Sequence, residues 1–220
     1  ADNPASQVST SFVYDITAVI NSITPSWGAY LNATEDNNNG TVTVETNGVE
    51  DGQTLTIELN SNTYTGSISN NSVTITIQSD DLQALSEGSN TITANVSDLA
   101  GNAASQASYT FTYDKSIPSI DSIVTSWGTH LNSIEDNSNG TITVTTSGVE
   151  NGQTLTVTMN STDYTGSISN NSVTITVPAT NLQALSEGTI TIIANVNDAA
   201  DNPAPQASTT FIYDKTLPII

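Results

Sequence analysis

The chain has 220 residues, of which 22 are acidic against two lysines and no arginine, giving a formal net charge of -20. A surface of that sign repels phosphate backbones and anionic lipid, which excludes nucleic-acid binding and electrostatic attachment to membranes. Cysteine is absent, so disulfides and thiolate metal sites are excluded as well, and no apolar run approaches the roughly 20 residues of a membrane-spanning helix.

The chain opens on "ADNPASQVSTSFVYD", Ala1 to Asp15. The segment returns as "GNAASQASYTFTYDK" from Gly101 and "DNPAPQASTTFIYDK" from Asp201, whereas the rest of the sequence occurs only twice. We read it as the loop, last strand and linker aspartate of a domain whose body is missing, which makes the chain a slice of a longer array. The opposite phasing would leave Asp201 to Ile220 as the spare piece. The "YDK" junction favours the first, with boundaries at 1–15, 16–115 and 116–220. Residues 1–14 are then expected to add nothing to the first core.

The next hundred residues alternate with period two. "TVTV" presents Val42 and Val44, and "QTLTIEL" presents Leu55, Ile57 and Leu59. "SVTITI" gives Val73, Ile75 and Ile77, "TITANV" gives Ile92, Ala94 and Val96, and the last strand carries Phe111 and Tyr113. Between these strands "DDLQALSEG" breaks the alternation and predicts one helical turn, capped by Asp80 and bearing Leu82 and Leu85. Short alternating strands separated by Gly, Asn and Asp turns predict a β-sandwich of about seven strands.

The body then repeats at an offset of 100 residues without insertion. "YTGSISNNSVTIT" runs from Tyr64 and again from Tyr164, and "LQALSEG" from Leu82 and Leu182. The second core face comprises Ile142, Val144, Leu155, Val157, Met159, Val173, Ile175, Val177, Ile192, Val196, Phe211 and Tyr213. A period of that length is a domain rather than a solenoid turn. The expected fold is all-β: two tandem immunoglobulin-like sandwiches arranged end to end.

If the strands run alternately up and down, the loops sort by pole, and the acids follow them. The entry pole of the first domain gathers Asp15, Glu50, Asp51 and Asp98; that of the second gathers Asp114, Glu150, Asp198 and Asp201. The opposite pole of the first holds Glu35, Asp36, Asp80, Asp81 and Glu87. Converging carboxylates with almost no basic partners suit a hard divalent cation, Ca²⁺ above all. The same residues also suit ordinary solvated turns, since Asp and Asn favour them. Lys115 and Lys215, directly after the linker aspartates, count against an ion there.

Other chemistry finds little support. The one histidine, His130, is Tyr30 in the other copy, so a catalytic base is not expected. Trp27 and Trp127 each sit just before a glycine at a strand end, where packing is a better account than sugar stacking.

"LNATEDNNNGTVTV", "GVEDGQTLTIELNSNTYTGSIS", "VSDLAGN" and "YDKSIP" together resemble the bacterial immunoglobulin-like extender repeats of giant RTX adhesins, which include ice-binding and biofilm adhesins. The resemblance covers the chain twice over. Its most specific parts are Asn32 with Glu35, Asn132 with Glu135, and the Asp-x-x-Gly-Asn loop. It implies a secreted, cell-surface, non-enzymatic spacer whose partners are calcium and neighbouring repeats, with Ca²⁺ at loop and interdomain carboxylates stiffening the array. The implied ligands are Glu35, Asp98 and Asp114, then Glu135, Asp198 and Asp214. In the second copy Asp201 replaces the loop glycine, which adds a carboxylate but brings the left-handed turn into question. The first domain enters through "YDITAVI", lacking the Lys and Pro of "YDKSIPSI". The competing reading is an adhesive module that binds a glycan or protein through Tyr30, Trp27 and the loops.

Overall fold

The structure is a computed structural model that describes residues 4–12, 14–15, 18–217 and 219. Two sandwiches follow one another along the chain. The first is built from β1 (Val19–Pro25), β2 (Tyr30–Asn32), β3 (Gly40–Asn47), β4 (Thr54–Leu59), β5 (Asn62–Ser67), β6 (Ser72–Ile77), α1 (Ser79–Gln83), β7 (Gly88–Asn95) and β8 (Ala107–Asp114). The second repeats this as β9 (Ser119–Thr125), β10 (His130–Asn132), β11 (Gly140–Ser147), β12 (Thr154–Met159), β13 (Thr162–Ser167), β14 (Ser172–Val177), α2 (Ala179–Gln183), β15 (Gly188–Asn195) and β16 (Ala207–Asp214).

In each sandwich a three-stranded sheet faces a five-stranded one. The orders are β1-β3-β6 and β2-β8-β7-β4-β5 in the first, and β9-β11-β14 and β10-β16-β15-β12-β13 in the second. The alternation read from the sequence is the alternation of burial. Val42, Leu55, Ile57, Ile77, Ile92 and Ala94 are completely buried, as are Ile142, Leu155, Val157, Val177, Ile192 and Ala194. Each buried Val, Leu or Ile among them contributes ~1.5–3 kcal/mol by leaving water. The hairpin between β4 and β5 turns through Asn60 and Ser61, at φ 49° and 65°. Two positive φ values in a two-residue loop make the primed turn whose twist matches the strands, and Asn tolerates that region.

Each sandwich carries eight strands, one beyond the expected seven. The addition is the three-residue β2 or β10; β10 runs parallel to β16, with His130 opposite Ile212 and Asn132 opposite Asp214. The chain leaves the first sheet at the turn containing Gly28 or Gly128, each at φ 68°. Three residues are too few for a period-two pattern to show. The helical turn is present, and Leu82 and Leu85 are buried at 0% and 4% exposure. Asp80 is not its cap: it lies inside α1, whose N-cap is Gln78. Asn39 Oδ1 instead accepts the N–H of Ser79 at 3.0 Å.

Tryptophan closes one end of each core. Trp27 is 7% exposed and meets Phe111 edge-on with ring centroids 5.3 Å apart, and Trp127 meets Phe211 at 5.2 Å. Each lies across a strand glycine: a Cβ at Gly40 would come within 2.4 Å of the Trp27 ring, and one at Gly140 within 2.3 Å of Trp127. Phe12 and Tyr14, by contrast, are 87% and 79% exposed. Ala1 to Asn3 and Val13, included in the same expectation, lie outside the described residues.

Candidate functional site

The loops do sort by pole within each sandwich. In the first, Glu50 of the β3–β4 loop accepts the N–H of Leu99, in the β7–β8 loop, on Oε2 at 2.8 Å. The same loop reaches the incoming linker, where Asn102 Nδ2 donates to the Asp15 carbonyl at 2.8 Å. Asp98 organises the loop from inside. Its Oδ1 accepts Asn102 N and its Oδ2 accepts Asn102 Nδ2, both at 2.7 Å, and the residue is 3% exposed. Burial is the largest single influence on the Asp98 carboxyl and pushes it up. The Asn102 side-chain amide and the N–H groups of Asn102, Gly101 and Ala100 together outweigh it and hold the group below its ordinary value.

The second sandwich builds the same pole. Ala199 N donates to Glu150 Oε2 at 2.8 Å, Asn202 Nδ2 to the Asp114 carbonyl at 2.9 Å, and Ala200 N and Asn202 N to Asp198 Oδ1 at 2.9 and 2.8 Å. Asp201 keeps the left-handed turn that its replacement of glycine brought into question. Its φ is 64°, and its N–H reaches the Asp198 carbonyl at 3.2 Å, against 3.1 Å for Gly101 and Asp98. Asp is among the few side chains that adopt this region at modest cost.

The other predicted acids take local roles. Glu35 Oε2 accepts Asn32 N and Glu135 Oε2 accepts Asn132 N, both at 3.1 Å. In return Asn32 Oδ1 accepts Glu35 N at 3.0 Å, and Asn132 Oδ1 accepts Glu135 N at 3.1 Å. Asp51 Oδ1 accepts Asn70 N at 2.7 Å, a part played in the second copy by Asn151 toward Asn170, also at 2.7 Å. Asp114 and Asp214 accept the N–H two residues on, from Ser116 and Thr216, each at 2.9 Å. Lys115 and Lys215 lie 5.6 Å above the rings of Tyr113 and Tyr213, a cation–π distance.

The pole donors are carboxylates and backbone carbonyls, the oxygen chemistry of a hard divalent cation. They are not a ready-made cage. Among the described residues no three His, Cys, Asp or Glu side chains lie close enough to hold a metal. Carboxylates that cap loop amides retain free lone pairs, so the donor set fits Ca²⁺ by chemistry while a bound ion would have to draw the loops together.

One acid absent from the expected donors matters at least as much. Asp136, 6% exposed, accepts the Tyr213 hydroxyl on Oδ2 at 2.6 Å. Asn102 and Asn202, the closing residues of "DLAGN" and "DAADN", tie loop to linker. The His130 ring has its Nδ1 3.1 Å from Oγ1 of the adjacent Thr129.

By sequence, the chain matches no protein-family model and no curated protein. By structure it is similar to a 1.5-MDa bacterial ice-binding adhesin described for host cell surface retention, at 22% identity and a TM-score of 0.53, over 92% of this chain and 66% of that one. It is also similar to a Ca²⁺-stabilised adhesin that helps an Antarctic bacterium reach out and bind ice. The identity is 23% and the TM-score 0.51, over 92% of this chain and 50% of that one. Fibronectin(III)-like modules of Clostridium thermocellum CbhA match at 10% identity and a TM-score of 0.51, over 90% of this chain and 95% of theirs. The chain therefore spans half to two thirds of the two adhesin structures. At these identities the likeness establishes the fold, a tandem pair of immunoglobulin-like sandwiches.

Proposed function

We propose that the chain is a non-enzymatic pair of extender repeats, 16–115 and 116–220, from a large secreted cell-surface adhesin, stiffened by Ca²⁺ at loop and linker carboxylates. The observation that carries this reading is repetition down to the pole: Asp98, Asn102 and Glu50 hold the same loop to the same linker position as Asp198, Asn202 and Glu150. A module whose task is length has reason to keep its ends alike, whereas a recognition surface has reason to vary. The resemblance to two adhesins supports the setting, and the Ca²⁺ stabilisation of one of them is a property of that protein.

Calcium would act by linkage. An ion that binds the folded pole and not the unfolded chain stabilises the fold in proportion to its occupancy. Glu50, Asp98 and the Asp15 carbonyl in the first copy, with Glu150, Asp198, Asp201 and the Asp114 carbonyl in the second, are the proposed donors. Glu35, Glu135, Asp51 and Asp214 are the reserve at the remaining loops.

The test is a thermal melt and small-angle scattering of the chain in Ca²⁺ and then in chelator. The melting temperature is expected to fall on chelation, and the calcium response to shrink in Asp98→Asn with Asp198→Asn. A melting temperature and maximum dimension indifferent to calcium would sink the stiffening mechanism. The competing glycan-binding reading loses much of its support, because both tryptophans are packed on phenylalanine rather than presented. Glycan-array binding by the chain, lost on Tyr30→Ala, would restore it.

A further inference from the structure

Backbone pairing between β15 and β16 runs from Ala194 opposite Ala207 to Gly188 opposite Tyr213, and there it stops. Gly188, at φ 120°, turns β15 away at that point. Within β16 the N–H of Ile212 points to the other side, to the Thr129 carbonyl at 3.0 Å. Amides two apart along a strand face the same way, so Tyr213 and Lys215 both present theirs toward β15. The amide of Lys215 has no strand residue left to meet, and a side chain takes the place of one. Glu187 Oε1 accepts Lys215 N and the Thr216 hydroxyl, each at 3.0 Å. Asp214 Oδ1 accepts Thr216 N at 2.9 Å, and Lys215 Nζ lies back over the Tyr213 ring at 5.6 Å. Both linker amides, one hydroxyl and the ammonium group are turned back to the sandwich they leave.

Four contacts on two consecutive residues remove the backbone freedom that a linker ordinarily keeps. Three of them end on carboxylate oxygens, the stronger class of acceptor. The first repeat has the same residues in the same places. Glu87 precedes Gly88, and Asp114, Lys115 and Ser116 keep the acid, the cation and the hydroxyl. Ser116 N meets Asp114 Oδ1 at 2.9 Å, and Lys115 Nζ lies 5.6 Å from the Tyr113 ring. We infer that Glu187, with Glu87 as its counterpart, is a latch that fixes the direction in which the chain leaves its sandwich, and that it works without a metal ion. Glu187 is exposed, so its carboxylate serves the linker rather than the core. It is a positioning residue. The latch takes its purpose from the extender reading but does not rest on calcium.

Amide hydrogen exchange, followed by NMR on the full chain in chelator, tests it. The Lys215 and Thr216 amides are expected to be protected, and Glu187→Ala to speed the exchange of both by about threefold or more. Thr216 is the deciding amide. Its acceptor, Asp214, is untouched by that substitution, so it is released only if the contacts hold as a unit. Thr216→Val, which removes the hydroxyl from an exposed residue, is expected to speed Lys215 in the same way. The Phe211 amide, inside β16, should keep its protection in both variants; its loss would mean that the strand and not the linker had been released, and overturns the inference. Unchanged exchange of Thr216 in Glu187→Ala, or of Lys215 in Thr216→Val, reduces the latch to separate bonds and overturns it. Protection that appears only with added Ca²⁺ does the same. A melting temperature indifferent to calcium would count against the stiffening mechanism and leave the latch standing.

Discussion

In the second sandwich the Tyr213 hydroxyl donates to Asp136 Oδ2 at 2.6 Å, and both residues are buried. A carboxylate out of water requires such donors, and a charge-assisted bond of this length is among the strong ones. Tyr213→Phe removes the donor and leaves the carboxylate, so it should cost about 1–3 kcal/mol in urea unfolding of the second sandwich. The hydrogen bond to Asp136, then burial and the charges of Asp136 and Glu187, push the Tyr213 hydroxyl up from 10.0 to about 12. The folded state therefore holds this proton to higher pH than the unfolded state does. Its contribution is complete below pH 10 and is lost as pH rises through about 12. Stability of the Tyr213→Phe variant should fall less between those values than that of the parent, and an equal fall would show that the bond carries no such proton. The pairing is not legible in the sequence. Tyr213 is the inward aromatic that the alternation predicts, but only the fold brings the Asp136 carboxylate, 77 residues away in sequence, within reach of its hydroxyl.

At the scale of elements, each core is closed by a tryptophan laid across a bare strand. β11 starts at Gly140, and a methyl group there would meet the Trp127 ring at 2.3 Å and Leu182 at 3.3 Å. Overpacking of that kind costs roughly 1–3 kcal/mol, so Gly140→Ala should lower the midpoint of the second transition and leave near-ultraviolet signals of a displaced tryptophan. A variant as stable as the parent would mean the ring moves aside freely. The strands themselves were legible, since Leu155, Val157 and Met159 alternate with threonines and nothing longer-ranged is needed to see a buried face. β10 was not, because its partner β16 is 82 residues away and parallel. The helix cap differs from expectation for a related reason: Asp80 has a capping side chain, but the N–H group of Ser79 is met by Asn39 from another loop.

For the whole molecule, charge dominates. Twenty excess negative charges in 220 residues repel one another, and two lysines cannot offset them. Raising NaCl from about 10 mM to about 200 mM shortens the Debye length from ~30 Å toward ~7 Å and should raise the melting temperature. Ca²⁺ at matched ionic strength should raise it further if the poles bind ions, and an equal effect of the two salts would reduce calcium to a screening ion. The sequence by itself determined the class of fold, the duplication and the inward face of the strands. Period-two burial and a 100-residue repeat are properties of the chain read linearly. It also brought the right loops to the right pole, because up-and-down strands leave loops no other place. Only the tertiary structure decided what the acids do there. Whether Asp98 turns its oxygens to the Asn102 amide or toward other carboxylates depends on side-chain directions and distances across loops far apart in sequence, and those exist only once the sheets have packed.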